Sequence, residues 1–175
     1  MSLHVIIDGY NFIRQSEALR DFERQALEFG REALVERLVE YRRIKRHKIT
    51  LVFDGSQKYF FPDANTSWKG VGIKFSRHGE TADALIKKMA RREKEKAVIV
   101  SNDRDIGRFA EANGATVLES GTFEEKLWMA EMMGSEESAS ESEPDRHRGN
   151  LTKKKGPAKK LPKKTRRAQK KTGKL

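Results

Sequence analysis

Apolar residues along this chain come in short runs separated by amphipathic stretches. Leu3-His4-Val5-Ile6-Ile7 ends at Asp8-Gly9, and Ile49-Thr50-Leu51-Val52-Phe53 ends the same way, at Asp54-Gly55. Both read as buried parallel strands that turn into loops at their carboxyl ends. Ala97-Val98-Ile99-Val100 and Ala115-Thr116-Val117-Leu118 are two more, and Val71, Ile73 and Phe75 alternate with small or polar residues like a half-buried strand. Residues 21–46 lack proline, and Leu27, Leu34, Leu38 and Tyr41 recur at spacings of seven, four and three, which predicts one long amphipathic helix. Ala82, Leu85, Ile86, Met89 and Ala90 form a second stripe, with Lys87, Lys88, Arg91 and Arg92 on the other side. Asp105 to Asn113 reads as a helix stopped by Gly114, and Thr122-Phe123-Glu124-Glu125 as a capping box opening a last helix that ends at Gly134. Strands alternating with helices predict an α/β fold of three α/β/α layers around a mostly parallel, five-stranded sheet.

Beyond Gly134 the pattern stops. Residues 134–145 are rich in Ser and Glu, and residues 146–175 hold 14 Lys or Arg and no acid. The 175 residues carry 37 basic and 26 acidic side chains, a formal charge of +11, yet residues 1–133 hold 23 and 21. The basic character therefore belongs to the tail. One domain over 1–133 is expected, followed by a disordered tail over 134–175, with nothing beyond about Met133 joining the core. Lysine pairs spaced by Pro157 and Pro162 attract polyanions without reading sequence, which makes RNA, ribosomal RNA or the ribosome the expected partner. A tail that only aids solubility is the alternative.

The absence of cysteine excludes disulfides, thiolate zinc sites and cysteine nucleophiles. No apolar run approaches the length of about 18 residues that a membrane helix needs, and the first strand is too short for a signal peptide, so a cytoplasmic protein is expected. Oligomeric state is not legible.

Ligands of an open parallel sheet bind beyond the carboxyl ends of its strands. Here those positions are acidic: Asp8 and Asp54 follow the first two strands, Asp83 opens a helix, and Asp103 and Asp105 follow Ser101-Asn102. Each alone is a common turn former or helix cap. Together, four or five carboxylates at one rim repel unless a cation joins them, and Arg104 is the only Lys or Arg in these short motifs. An all-oxygen donor set suits Mg²⁺ or Mn²⁺, which keep several waters and pair with substrate phosphates. One or two such ions on Asp8, Asp83 and Asp103 would acidify a water, aim it at a phosphorus and neutralise developing charge. Asp54 and Asp105 would bind directly or through water, with Glu80 behind them. His4, His47, His78 and His147 show no ligand spacing.

Asp8-Gly9-Tyr10-Asn11, Val52-Phe53-Asp54-Gly55, Glu80-Thr81-Ala82-Asp83 with Ile86, and Ser101-Asn102-Asp103-Arg104-Asp105 stand in order on the expected elements. In this the chain resembles the NYN domains of the YacP-like branch, within the PIN-like nuclease superfamily, over residues 3 to about 130. The resemblance implies a PIN-like fold, metal-dependent cleavage of single-stranded RNA, and an acidic catalytic site at Asp8, Asp54, Asp83 and Asp103.

Asn11 is expected to hold a phosphate oxygen, to fix Asp8, or to close the Gly9 turn; Ser101 has the same choices for the Asp103 loop. The long connection from Gly55 to Gly70 mixes Lys58, Tyr59, Phe60, Phe61, Trp68 and Lys69. Such a mixture stacks unpaired bases and holds a backbone, or else pins the loop to the domain. Lys58, Lys69 and Arg104 are thus candidate substrate contacts beside Asn11 and Ser101. The competing function is a non-catalytic RNA-binding or ribosome-associated adaptor, which the intact acids argue against. A phosphoacceptor or phosphatase domain needs other Asp motifs after the first strand, and a dinucleotide-binding domain needs a glycine-rich turn.

Overall fold

A computed structural model describes residues 3–55, 65–77, 79–139 and 163–175. In chain order the elements are β1 (His4–Asp8), α1 (Gly9–Gln15), α2 (Glu17–Gln25), α3 (Leu27–Lys45), β2 (Lys48–Phe53), β3 (Asn65–Trp68), β4 (Val71–Phe75), α4 (Ala82–Glu93), β5 (Ala97–Val100), α5 (Arg104–Ala112), β6 (Thr116–Leu118), α6 (Ser120–Ala139) and α7 (Lys163–Thr172). The sheet runs β3-β4-β2-β1-β5-β6, and every neighbouring pair is parallel except β3 with β4.

Side chains alternate across a strand, so each apolar run feeds two cores. Val5 and Ile7 of β1, Leu51 and Phe53 of β2 and Ile73 of β4 pack with Phe12, Leu34, Leu38, Phe123 and Leu127 from α1, α3 and α6. Ile6, Val52 and Ile99 point the other way, onto Ile86 and Met89 of α4 and Ile106 of α5. Burial on both faces explains why these strands read as continuous apolar runs.

The sheet has six strands, one more than the five expected. β3 lies inside the connection read as a loop, pairs antiparallel with β4 and turns through Lys69 and Gly70, both at positive φ. The long helix expected over 21–46 is two helices. Ala26 between them is extended (φ −161°, ψ 145°), and α2 folds back so closely that a Cβ on Gly30 would stand 3.1 Å from the Cβ of Glu23. α6 begins at Ser120, ahead of the Thr122 motif, and continues past Gly134.

Two stretches of the segment expected to be a structureless tail are helical, the end of α6 and α7. Leu175 is 3% exposed and belongs to the core that α3 shares with the sheet, so a residue far beyond Met133 does join it. The Tyr41 hydroxyl donates to the main-chain oxygen of Leu175 at 2.6 Å, and His47 Nε2 lies 3.0 Å from that of Lys174. Lys58, Tyr59, Phe60, Phe61, His78 and most of the basic run, residues 146–162, lie outside the described residues.

Candidate active site

β1 delivers Asp8 to the carboxyl edge of the sheet, where it caps α1: its Oδ1 accepts from the Asn11 amide N–H at 3.3 Å. Gly9 is required here, because a Cβ at this position would meet the Phe53 ring at 2.2 Å. Tyr10 packs edge-on to Phe53, and its hydroxyl accepts from buried Arg31 at 2.8 Å. The start of α1 is thereby clamped to β2 and α3.

β5, hydrogen-bonded to β1, brings the second acidic loop alongside. The Ser101 hydroxyl donates to Asp8 Oδ2 at 3.2 Å and accepts from the Asp103 N–H at 3.1 Å, so one buried side chain joins both acids. Asp103 caps α5, with Oδ1 accepting from Asp105 N and Ile106 N at 2.7 and 3.1 Å. Both of these bonds use Oδ1. Asn11 Oδ1 accepts from Asn102 N at 3.0 Å and from the Ser120 hydroxyl at 3.3 Å, while Asn102 Oδ1 accepts from Ser120 N at 2.7 Å. Asn11 therefore braces the β1 and β5 loops against the start of α6. Sequence reasoning missed Asn102 and Ser120 as parts of this brace.

Asp83 enters from the first turn of α4, capped by Thr81. One turn on, Lys87 pairs with Asp105, a counter-charge missed in the reading of the short motifs although Asp83 and Lys87 stand at helical i, i+4 spacing. Asp54 is half-buried at the end of β2, two residues past Val52, the register partner of Asp8. Arg104 is exposed at the start of α5 and Glu80 half-buried before α4. Lys69 is not brought to the acids. Strand register places its turn at the opposite end of the sheet, where it pairs with Glu36 at 3.5 Å and lies 5.7 Å from the Trp68 ring.

The acids sense one another. Burial is the main cause that lifts the Asp8 carboxyl from 3.8 to about 6; the Asn11 and Ser101 hydrogen bonds oppose it, and the charges on Asp83 and Asp103 add to it. Asp83 is raised by burial and then by Asp103, with Lys87 opposing. Asp105 is lowered, chiefly by its hydrogen bond to Lys87. A divalent cation near Asp8, Asp83 and Asp103 would relieve this repulsion, and the all-oxygen donor set suits Mg²⁺ or Mn²⁺. Among the described residues no three acids or histidines stand close enough to enclose an ion. An ion bound here would therefore take most of its coordination from water and substrate.

A family model described as the YacP-like NYN domain matches residues 5–172. The chain belongs to the YacP-like NYN domain family. Its members are typically nucleases and generally metal-dependent. The match extends well beyond residue 130, through the acidic linker and nearly all of the basic run. YacP of Bacillus subtilis (strain 168), itself described as uncharacterized, is 29% identical over 86 residues, 49% of this chain and half the length of that protein. Two crystal structures of Rae1 (YacP) from Bacillus subtilis superpose with TM-scores of 0.66 and 0.65 at 23% and 19% identity. The first covers 79% of this chain and 80% of the other, and the second, of a point mutant, 81% and 86%. At these identities the likeness shows the NYN fold alone. Among the described residues no helix is long and apolar enough to cross a membrane.

Proposed function

We propose that this protein is a metal-dependent endoribonuclease that hydrolyses phosphodiester bonds of single-stranded RNA. The observation that carries the reading is the coupled set of Asp8, Asp83 and Asp103, delivered by three different connections to one edge of the sheet. Mg²⁺ or Mn²⁺ bound at this edge by Asp8, Asp83 and Asp103, in part through water, with Asp54 and Asp105 at its margin, would supply an acidified water and neutralise charge at the scissile phosphate. Ser101 and the Asn11 N–H each hold one oxygen of Asp8, which fixes the direction in which the carboxylate presents its remaining lone pairs. Lys87 holds Asp105 on the α4 side of the cluster. Asn11 and Ser101 position the acids, and Arg104 meets a substrate phosphate.

RNA as substrate follows from the family resemblance, and the basic segment 146–175 is assigned the task of holding RNA or the ribosome in the cytoplasm. Residues 1–133 carry every proposed catalytic group, and Lys58 joins the substrate contacts from outside the described residues. Leu175 packs into the core, so the test uses the full chain. Incubation of an end-labelled, unstructured RNA with Mn²⁺ or Mg²⁺ is expected to give internal fragments that EDTA abolishes. Salt-sensitive binding without fragments in either metal, on free RNA or translating ribosomes, would replace the enzyme with an adaptor.

A further inference from the structure

The charge of the folded body is nearly balanced, but not evenly spread. Lys74, Arg77, Lys88, Arg91 and Arg92 surround a cleft of about 490 Å³ between the end of β4 and the outer side of α4, and among the described residues Glu80 is the only acid that lines it. Leu85 and Met89 contribute apolar floor. Arg92 pairs with Glu93 at 2.9 Å, and Arg91 lies over the Phe109 ring at 5.2 Å. Arg77 and Lys88 are exposed and form no ion pair among the described residues. The elements that build the cleft also build the acidic site: β4 pairs with β2, whose end carries Asp54, and α4 carries Asp83 in its first turn. From Asp83 to Arg92 the helix rises about 14 Å.

We infer that this cleft is the track for the phosphate backbone of a single-stranded nucleic acid on one side of the scissile bond. Concave like-charged walls concentrate a polyanion, and the apolar floor accepts a base or ribose face without demanding a sequence. The inference rests on the nuclease reading and locates its substrate: a strand entering over Arg77 and Lys88 reaches the acids at the start of α4, with the anionic backbone held by cations until it meets the site.

The test is anisotropy of a labelled 12-nucleotide single-stranded RNA with the full chain in EDTA, so that binding is read without cleavage, across a salt series. Arg77→Gln with Lys88→Gln is compared with Arg20→Gln and Lys126→Gln on α2 and α6, on the other face of the sheet. The cleft pair is expected to weaken binding on the order of tenfold at 0.1 M salt and to flatten the slope of log affinity against log salt by about 1.4, the loss of two phosphate contacts. The control pair should stay within twofold. An unchanged slope, an equal loss in the control pair, or tighter binding of poly-glutamate than of RNA overturns the inference. Cleavage lost on Asp8→Asn but intact in a cleft pair that binds normally removes the track and keeps the nuclease. Cleft-dependent binding with no cutting under any metal keeps the track and removes the nuclease.

Discussion

Replacing Asp8 by Asn should destroy activity and, without metal, stabilise the fold. Asp8 is 9% exposed and carries a carboxyl held at about 6 by burial and by the charges of Asp83 and Asp103. Between its unfolded value of 3.8 and about 6 the folded state binds more protons than the unfolded one, so stability falls as pH rises through this window. Above it the full penalty applies: about two units at 1.36 kcal/mol each, about 3 kcal/mol. Asn removes the charge, keeps an acceptor for the Asn11 N–H, and leaves the Ser101 hydroxyl without its acceptor, which costs about 1 kcal/mol. The net gain of about 2 kcal/mol corresponds to a Tm roughly 4–8 °C higher for a chain of this size. Differential scanning calorimetry in EDTA should show this gain at pH 7.5 and little of it at pH 4. With Mn²⁺, the wild type should rise and narrow the gap. A variant that is destabilised at pH 7.5, or equally stabilised at both pH values, refutes the electrostatic account of the cluster.

Three further outcomes follow from other parts of the fold. His4 is buried and bonded to Thr50 at 2.8 Å; burial first, then Lys48, lowers it from 6.5 to about 4, so the unfolded chain takes up its proton first and stability rises with pH between those values. Asp8 opposes this slope in the wild type, and denaturant titrations of Asp8→Asn should expose it and His4→Gln in that background should flatten it. Gly9→Ala, which drives a methyl into the Phe53 ring, should cost about 1–3 kcal/mol, whereas Gly121→Ala meets open space and should cost nothing measurable by urea unfolding. Tyr10→Phe removes one acceptor from Arg31, whose side chain is 1% exposed, and should cost roughly 1.5–3 kcal/mol in the same assay.

Much of this architecture is legible in the chain because its strands are buried on both faces. β1, β2, β5 and β6 announce themselves as apolar runs, and the acids stand out because they follow those runs directly. β3 does not: Asn-Thr-Ser-Trp has no apolar alternation, and an edge strand of this kind is held by backbone pairing to β4. The break at Ala26 is hidden for a related reason, since neither glycine nor proline marks it and tertiary packing of α2 on α3 imposes it. The Asn11, Asn102 and Ser120 brace joins residues up to 109 positions apart, and no local spacing encodes it. Leu175 is a single apolar residue after a charged run, and only the space beside Tyr41 gives it a place. Lys87 was within reach, one helical turn from Asp83.

The most direct test of the central claim is single-turnover cleavage of a labelled single-stranded RNA by the full chain in Mn²⁺, beside Asp8→Asn and Asp103→Asn, with the fold of each variant verified by calorimetry and far-UV circular dichroism. The acidic-site account predicts internal cuts by the wild type that vanish in EDTA and fall at least 100-fold in both folded variants. Cleavage that persists in either folded variant, or that EDTA leaves untouched, contradicts it.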